Sequence, residues 1–445
     1  MNLQRGCNAA WYEMNISSAD DQVSPCCYYA GDRDPWSNEF RSVDHYWNSP
    51  NIQKVREINS GSEVSLRGGC EGCYFFANSK AHQGEAATYF PQFLTPFDGL
   101  SPEQKANWLA AVDDYENGRT QVKSTPLRFY INFGFACNLS CTMCHQVPRR
   151  KELSRQVNAD VLLKWKPYLK AAIDLTVIGG EPFALKEAIK FIQSVIEDPE
   201  FEPVQLTICT NGTLLHRHMD LLAKKRKLQI AVSLDTIGTE FEQIRIGADW
   251  KQIEQNIFEF QATAKRLGYP WAVQAPCMLM KTNIPKLVDF AEWSIANDVQ
   301  PGFYDFINAA GIEATHEKEN VVAHPTLLEE VPDWERYFIL AVDRLRHSQF
   351  KAAADQLNEL YMRLRHSLYE KIEARGTQSR VEATVTTSAL QSLDSSTFPV
   401  IEQNQNTSRS PGFKQAVKRV TPTPVWELLR TLKHGRNNPF ASIRK

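Results

Sequence analysis

Between residues 125 and 310 the chain alternates six times between short apolar runs of strand character and longer segments of helical periodicity, a rhythm few folds accept. The strand-like runs are 127–133, 173–178, 204–209, 229–234, 272–278 and 303–307, and the helix-like segments include 159–172, 186–197, 214–225, 250–267 and 285–297. Strands alternating with helices imply a parallel sheet with right-handed crossovers. In the first run, Leu127-Arg-Phe-Tyr-Ile-Asn-Phe133, apolar and polar residues alternate as in a half-buried strand, and Gly134 breaks it. Directly after it comes Cys137-Asn-Leu-Ser-Cys141-Thr-Met-Cys144. Three cysteines therefore sit on a loop at the C-terminal end of a strand, the end at which barrels of this kind build active sites.

The spacing C-x3-C-x2-C offers an iron–sulfur cluster three thiolates and leaves one iron without a protein ligand, whereas closed cluster sites carry four. Soft thiolates also suit zinc, and buried free thiols are the third reading. The later strands end on further chemistry. Gly179 and Gly180 allow a close backbone approach, and Glu181 adds a carboxylate suited to a cationic amino group. The same segment also reads as a tight turn with a capping Glu and a Pro in the first helical turn. Thr210-Asn211-Gly212 is either a turn or a polar rim.

In this order, the cysteine triplet, Gly179-Gly180-Glu181-Pro182, Thr210-Asn211-Gly212 and Ser233-Leu234-Asp235 resemble the signature of radical S-adenosylmethionine (radical SAM) enzymes. Met143 departs from the aromatic that many members carry there. The resemblance implies a partial six-unit barrel, (β/α)6, open on one side. It also implies a 4Fe–4S cluster on Cys137, Cys141 and Cys144, whose open iron is chelated by S-adenosylmethionine. Gly179, Gly180 and Glu181 then receive the methionyl amino group, Thr210 and Asn211 face the cofactor mouth, and Ser233 and Asp235 reach the ribose hydroxyls. Arg245 matches an arginine that pairs with the methionyl carboxylate, with a surface salt bridge as its alternative. Asp305, near the end of the last strand, is a candidate to face the substrate.

Ten cysteines in 445 residues cluster early: Cys7, Cys26, Cys27, Cys70 and Cys73 all precede the triplet. Cys70-Glu-Gly-Cys73 has the spacing of a metal pair, with iron–sulfur and zinc both open. With Trp11, Tyr46-Trp47-Asn48-Ser49 and Arg56 they resemble the SPASM/twitch auxiliary-cluster module, placed ahead of the barrel as in a group of twitch-containing radical enzymes. That match implies one auxiliary 4Fe–4S cluster on Cys7, Cys26, Cys70 and Cys73. Cys209 and Cys277 stand alone in apolar runs and read as core residues.

The resulting organisation is an α/β chain with a twitch/SPASM-like domain at 1–80, a linker at 81–124, the barrel at 125–310, a helical extension at 311–375 and a flexible, basic segment at 376–445. In the extension, 334–347 and 350–374 read as helices, with Leu357, Leu360, Tyr361, Leu364, Leu368 and Tyr369 on one face that packs on the barrel. Segment 413–445 mixes Lys and Arg with Trp426 and Phe440, and reads either as a partner-binding amphipathic stretch or as a solvated tail. A formal charge of −2 argues against a general affinity for nucleic acid or anionic membrane. Without an apolar run of membrane-spanning length or a signal-peptide core, the expected location is the cytoplasm. The leading expectation is an enzyme acting on a ribosomally made precursor peptide. Its expected partners are that peptide, a small peptide-recognition protein and an electron donor such as flavodoxin or ferredoxin. A small-molecule substrate and a nucleic-acid-binding protein with structural clusters are the rivals.

Overall fold

The computed structural model describes residues 7–17, 22–26, 29, 31–60, 70, 99–150, 155–306 and 312–391, with side chains up to 375. Cys27, Cys73, residues 81–98 of the segment expected at 81–124 and residues 392–445 of that expected at 376–445 lie outside that set. The described strands form one sheet in the order β3-β2-β1-β4-β5-β6-β7-β8-β9. They are β1 (Glu13–Ser17), β2 (Gln22–Ser24), β3 (Asp34–Pro35), β4 (Arg128–Asn132), β5 (Asp174–Ile178), β6 (Gln205–Thr210), β7 (Leu228–Val232), β8 (Ala272–Met278) and β9 (Gln300–Tyr304). Every pairing from β1 through β4 to β9 is parallel; only β1 with β2 and β2 with β3 run antiparallel. The six strands expected from the sequence are β4 to β9, and helices cross over between them.

β4 shows the two faces of the sheet most plainly. Phe129, Ile131, Val177, Ile208 and Val232 are fully buried on the side covered by helices. Arg128, Tyr130 and Asn132 of β4, between those apolar residues, remain partly exposed on the other side, which is the inner face of the open barrel. There Arg128 donates from Nε to Thr176 Oγ1 (3.0 Å), while Thr207 Oγ1 donates to Asp174 (2.6 Å). The inner face is thus cross-linked between β4, β5 and β6 by polar side chains.

The helices follow their apolar spacing. In Lys186–Glu197, residues Ala188, Phe191, Ile192, Val195 and Ile196 recur at the i, i+3, i+4 intervals and are all buried. Each large side chain contributes about 1.5–3 kcal/mol by leaving water. Trp250–Leu267 starts at Asp249, whose carboxylate accepts from Gln252 N–H (3.2 Å), and ends at Gly268 in the left-handed region (φ 66°). Segment 159–172 is two helices, Ala159–Leu163 and Lys166–Ala171, because Pro167 begins a new turn.

Two differences from the sequence reading lie at the sheet ends. Where the apolar pattern predicts 303–307, the last strand is Gln300–Tyr304: Pro301-Gly302 resembles a turn, but Pro is tolerated on an edge strand. That edge is further blunted by Gln356, which accepts from Phe303 N–H (3.0 Å). At the other end, β1 pairs with β4 in register, Met14 against Phe129 and Ile16 against Ile131, and the N-terminal side chains join the main core. The cysteine-rich segment drawn at 1–80 therefore shares its sheet and core with the barrel.

The extension forms helices Trp334–Arg346 and Lys351–Gln391. Leu357, Leu360, Tyr361, Leu364 and Leu368 are buried in the main core, and Tyr361 stacks on Phe338 at 5.6 Å. Tyr369 departs from the expected face and is 47% exposed, because the buried stripe ends at Leu368. Among the described residues no helix is long and apolar enough to cross a membrane.

Candidate functional site

The cysteine triplet follows β4 and is strapped down on two sides. Ser140 N–H donates to Ile246 O and Thr142 N–H to Ile244 O, both at 2.9 Å, so the loop runs along the chain that carries Arg245. On the other side Gly180 N–H donates to Gly134 O (2.7 Å) and Glu181 N–H to Ala136 O (2.9 Å). The glycines have a specific reason. A Cβ on Gly180 would lie 2.3 Å from Ala136 O and 2.5 Å from Phe135 O, and one on Gly179 would lie 2.8 Å from Gly134 O. Close approach is thus made here to the backbone of the cysteine loop itself.

Glu181 is fully buried. Its Oε1 accepts from Phe183 N–H (3.1 Å) and Thr210 Oγ1–H (2.8 Å), and its Oε2 from Asn211 N–H (2.7 Å). Burial pushes its pKa up, against the pull of those three donors and of Arg245. The carboxylate ties the end of β5 to the end of β6, in keeping with its capping alternative. Asn211 continues the chain of contacts, donating from Nδ2 to Asn138 Oδ1 (2.9 Å) and to the sulfur of Cys137 (3.6 Å). Asn138 in turn donates to Thr213 Oγ1 (2.8 Å). Asn138 and Thr213 were not singled out in the sequence; the position of Asn138 inside the triplet was the available signal.

Arg245 and Asp235 come together. Arg245 NH2 lies 2.6 Å from Asp235 Oδ2, and Arg245 NH1 donates to Cys141 Sγ at 3.8 Å. The Arg245 Nε is buried with no hydrogen-bond partner. Asp235 is 3% exposed, on the inside of its strand end, and Ser233 N–H donates to Thr210 O (2.9 Å). The triplet itself lies beside a small apolar cluster of Leu139, Met143, Ile244, Met280, Phe306 and Ile312.

Burial pushes the Cys141 thiol up to about 11, against Arg245, and raises Cys137, against the Leu139 N–H donor and Arg150. Iron would have to displace those protons, and the donors at the sulfurs favour the thiolates that remain. Among the described residues no three His, Cys, Asp or Glu side chains converge on a single-ion position. A cluster spreads its thiolates over separate irons and requires no such convergence. Three thiols on one loop, N–H donors aimed at two sulfurs and an orphaned guanidinium Nε fit a cluster with an anionic ligand beside it.

Residues 131–271 match the Radical SAM superfamily. The chain carries a radical SAM domain. Among curated relatives, a protein named probable GTP 3′,8-cyclase from Methanococcus maripaludis is 28% identical over 127 residues, covering 27% of this chain and 41% of its own length. Molybdenum cofactor biosynthesis protein 1 from Dictyostelium discoideum is 26% identical over 270 residues, 55% of this chain and 41% of that protein. The chain thus spans about two fifths of the length of these relatives. Among solved structures, Streptococcus suis SuiB bound to S-adenosylmethionine aligns at a TM-score of 0.39 with 17% identity, over 54% of this chain and 55% of that one.

Outside the radical SAM domain, Cys26 and Cys70 both lie near Tyr29, whose hydroxyl pKa is raised to about 12, by burial first and then by Cys70. Cys7 packs with them against the main core, its N–H donating to Asn59 Oδ1 (2.9 Å). Cys73, the fourth member of that expected set, is outside the described residues. Asp305 turns to the long C-terminal helix, accepting both NH1 (3.1 Å) and NH2 (2.8 Å) of Arg363. Cys277 is buried and donates its S–H to Asp235 O (2.9 Å). Cys209 sits on β6, its thiol raised to about 11, by burial above all.

Proposed function

We propose that this chain holds a 4Fe–4S cluster on Cys137, Cys141 and Cys144, cleaves S-adenosylmethionine reductively there, and uses the radical to modify a ribosomally made precursor peptide. The supporting observation is the loop itself: three thiols within a radical SAM domain, with Asn211 and Arg245 donating to two of their sulfurs. When bound, the cluster supplies one electron to a carbon–sulfur bond, and the resulting 5′-deoxyadenosyl radical abstracts a hydrogen atom from substrate.

The chain's own part is to bind, orient and exclude. Gly180 and Glu181 fix the cysteine loop against the end of β5 through two backbone bonds, so the thiols keep their spacing. Arg245 presents an unpartnered Nε beside them, suited to the methionyl carboxylate. Leu139, Met143, Ile244 and Phe306 keep that side of the loop apolar, which limits water beside a reactive radical. Ser233 stands just past the end of β7 with a ribose hydroxyl as its target, while the carboxylate of Asp235, expected beside it, is taken up by Arg245.

A peptide substrate rests on the resemblance of the N-terminal cysteines to the auxiliary-cluster module, with the second cluster on Cys7, Cys26, Cys70 and Cys73. A flavodoxin or ferredoxin supplies the electron, and a reducing cytoplasm suits the free thiols. The polar inner face, with Arg128, Asp174 and Thr207, gives a substrate hydrogen-bonding partners. A second reading, a radical SAM enzyme acting on a nucleotide, is favoured by the match to GTP 3′,8-cyclases. Anaerobic reaction with a candidate precursor peptide and, separately, with GTP separates the two. The proposal expects a mass change in the peptide and none in GTP; the reverse sinks the peptide reading.

A further inference from the structure

Asp235 is held in an unusual way for a residue at a strand end. Its φ is +60°, in the left-handed region that a non-glycine residue enters at a cost of about 1–2 kcal/mol. The surroundings hold it there: Oδ1 accepts from Met278 N–H (3.0 Å), and its carbonyl accepts from Asn283 Nδ2 (3.0 Å) and Cys277 Sγ (2.9 Å). One carboxylate oxygen is thereby fixed to the end of β8. The other, Oδ2, lies 2.6 Å from Arg245 NH2. Arg245, at the end of helix Gly238–Ile244, is itself buried, and its NH1 reaches Cys141 Sγ. The guanidinium thus bridges a rigid carboxylate and a thiol, with Nε left open.

We infer that Asp235 is a positioning residue that locks the Arg245 guanidinium against the Cys141 sulfur and so sets the reduction potential of the cluster on that loop. The inference rests on the reading of Cys137, Cys141 and Cys144 as cluster ligands. A hydrogen bond to a cluster sulfur stabilises the more electron-rich, reduced state, so holding NH1 at Cys141 raises the potential. A free arginine side chain has many rotamers, and fixing one of them in this contact requires a partner that does not move. Asp235 meets that condition because its other oxygen and its backbone are both bonded.

The test is a redox titration, by electron paramagnetic resonance, of the full chain with reconstituted clusters. It follows the cluster whose signal changes when S-adenosylmethionine is added, with iron and sulfide counted in every variant. In Asp235→Asn the amide keeps an acceptor for Met278 N–H and turns its NH2 toward Arg245, which releases the guanidinium. The potential is therefore expected to fall, in the same direction as in Arg245→Gln, and to fall no further in the double variant. Arg245→Lys keeps the charge but loses the planar fork that sends NH1 to the sulfur and NH2 to the carboxylate, so the sulfur contact is no longer fixed and its potential also falls. If Asp235 acted only through its charge, Asp235→Asn would raise the potential while Arg245→Gln lowered it; that result, or an unchanged potential in Asp235→Asn or Arg245→Lys at parental iron content, overturns the inference. A parent chain that takes up no cluster responsive to S-adenosylmethionine overturns the functional reading itself, and this inference with it.

Discussion

Two buried arginines mark the two cysteine-bearing regions, and they are used differently. Arg56, near the N-terminal cysteines, lies over the Trp47 ring at 4.5 Å and donates to Ala10 O (2.8 Å), Thr120 O (2.8 Å) and Asn48 Oδ1 (3.1 Å). Burial pulls its pKa down to about 9, with Asp114 opposing. Arg245 meets a carboxylate and a thiol instead. Burial opposes its charge too, yet Asp235 and the sulfurs of Cys141 and Cys144 carry its pKa above the ordinary value. Each guanidinium keeps one buried nitrogen without a partner, NH2 of Arg56 and Nε of Arg245, so the difference lies in the acceptors: a buried cation given over to backbone carbonyls pins chain segments together, whereas one clamped between a carboxylate and a thiol of the cysteine loop belongs to a site. Lys225 is of the first kind, its Nζ donating to Phe201 O (2.5 Å) and Glu202 O (3.3 Å).

Replacing Arg56 breaks the comparison most directly. Arg56→Met takes the donors from the Ala10 and Thr120 carbonyls and leaves Asn48 Oδ1 with Val122 N–H alone, and an unfolding free energy lower by about 2–5 kcal/mol is expected from denaturant titration. The folded fraction should still bind cluster at the triplet; loss of that cluster would mean the two regions are not separable. Gly180→Ala acts on the other region, since its Cβ would strike Ala136 O and Phe135 O. A loss of about 1–3 kcal/mol, with iron content at the triplet falling alongside it, is the expected outcome.

Lys225 sharpens the first class through pH. Its folded pKa is about 8, below the ordinary 10.5 and chiefly through burial, so the unfolded chain binds more protons between those values. Stability should therefore rise with pH through that window, by at most about 3 kcal/mol. Lys225→Met should flatten the rise, and an unchanged slope in its unfolding curves would remove Lys225 as the cause. The smallest effect is expected at Asp305, whose pair with Arg363 is partly exposed on both sides. Asp305→Asn should cost about 0.2–1 kcal/mol in thermal unfolding, with no change in chemistry at the triplet.

Much of this was legible in the chain. The boundaries of Lys186–Glu197 follow from apolar spacing, those of Trp250–Leu267 from apolar spacing with caps at Asp249 and Gly268, and β4 from strict alternation ahead of Gly134. β1 was not read, although Glu13-Met-Asn-Ile-Ser17 alternates as well, because the neighbouring cysteines drew the segment toward a separate module. β9 was displaced by Pro301, whose missing N–H matters only if a further strand is to pair with it. At the site, the residue types were legible and their mutual contacts were not. That Asp235 turns to Arg245 depends on a left-handed backbone and on Met278, Cys277 and Asn283, which lie more than forty residues away in sequence. Asp305 was read by its place at a strand end, but the long helix that supplies Arg363 decides where it points.

The central claim, that Cys137, Cys141 and Cys144 hold the cluster that cleaves S-adenosylmethionine, has one direct measurement. Parent chain and the triple Cys→Ala variant, each reconstituted with iron and sulfide and reduced without oxygen, are assayed for 5′-deoxyadenosine. The parent should form it, and the variant should form none while keeping any iron held by the N-terminal cysteines. A triple variant that still forms 5′-deoxyadenosine would contradict the account.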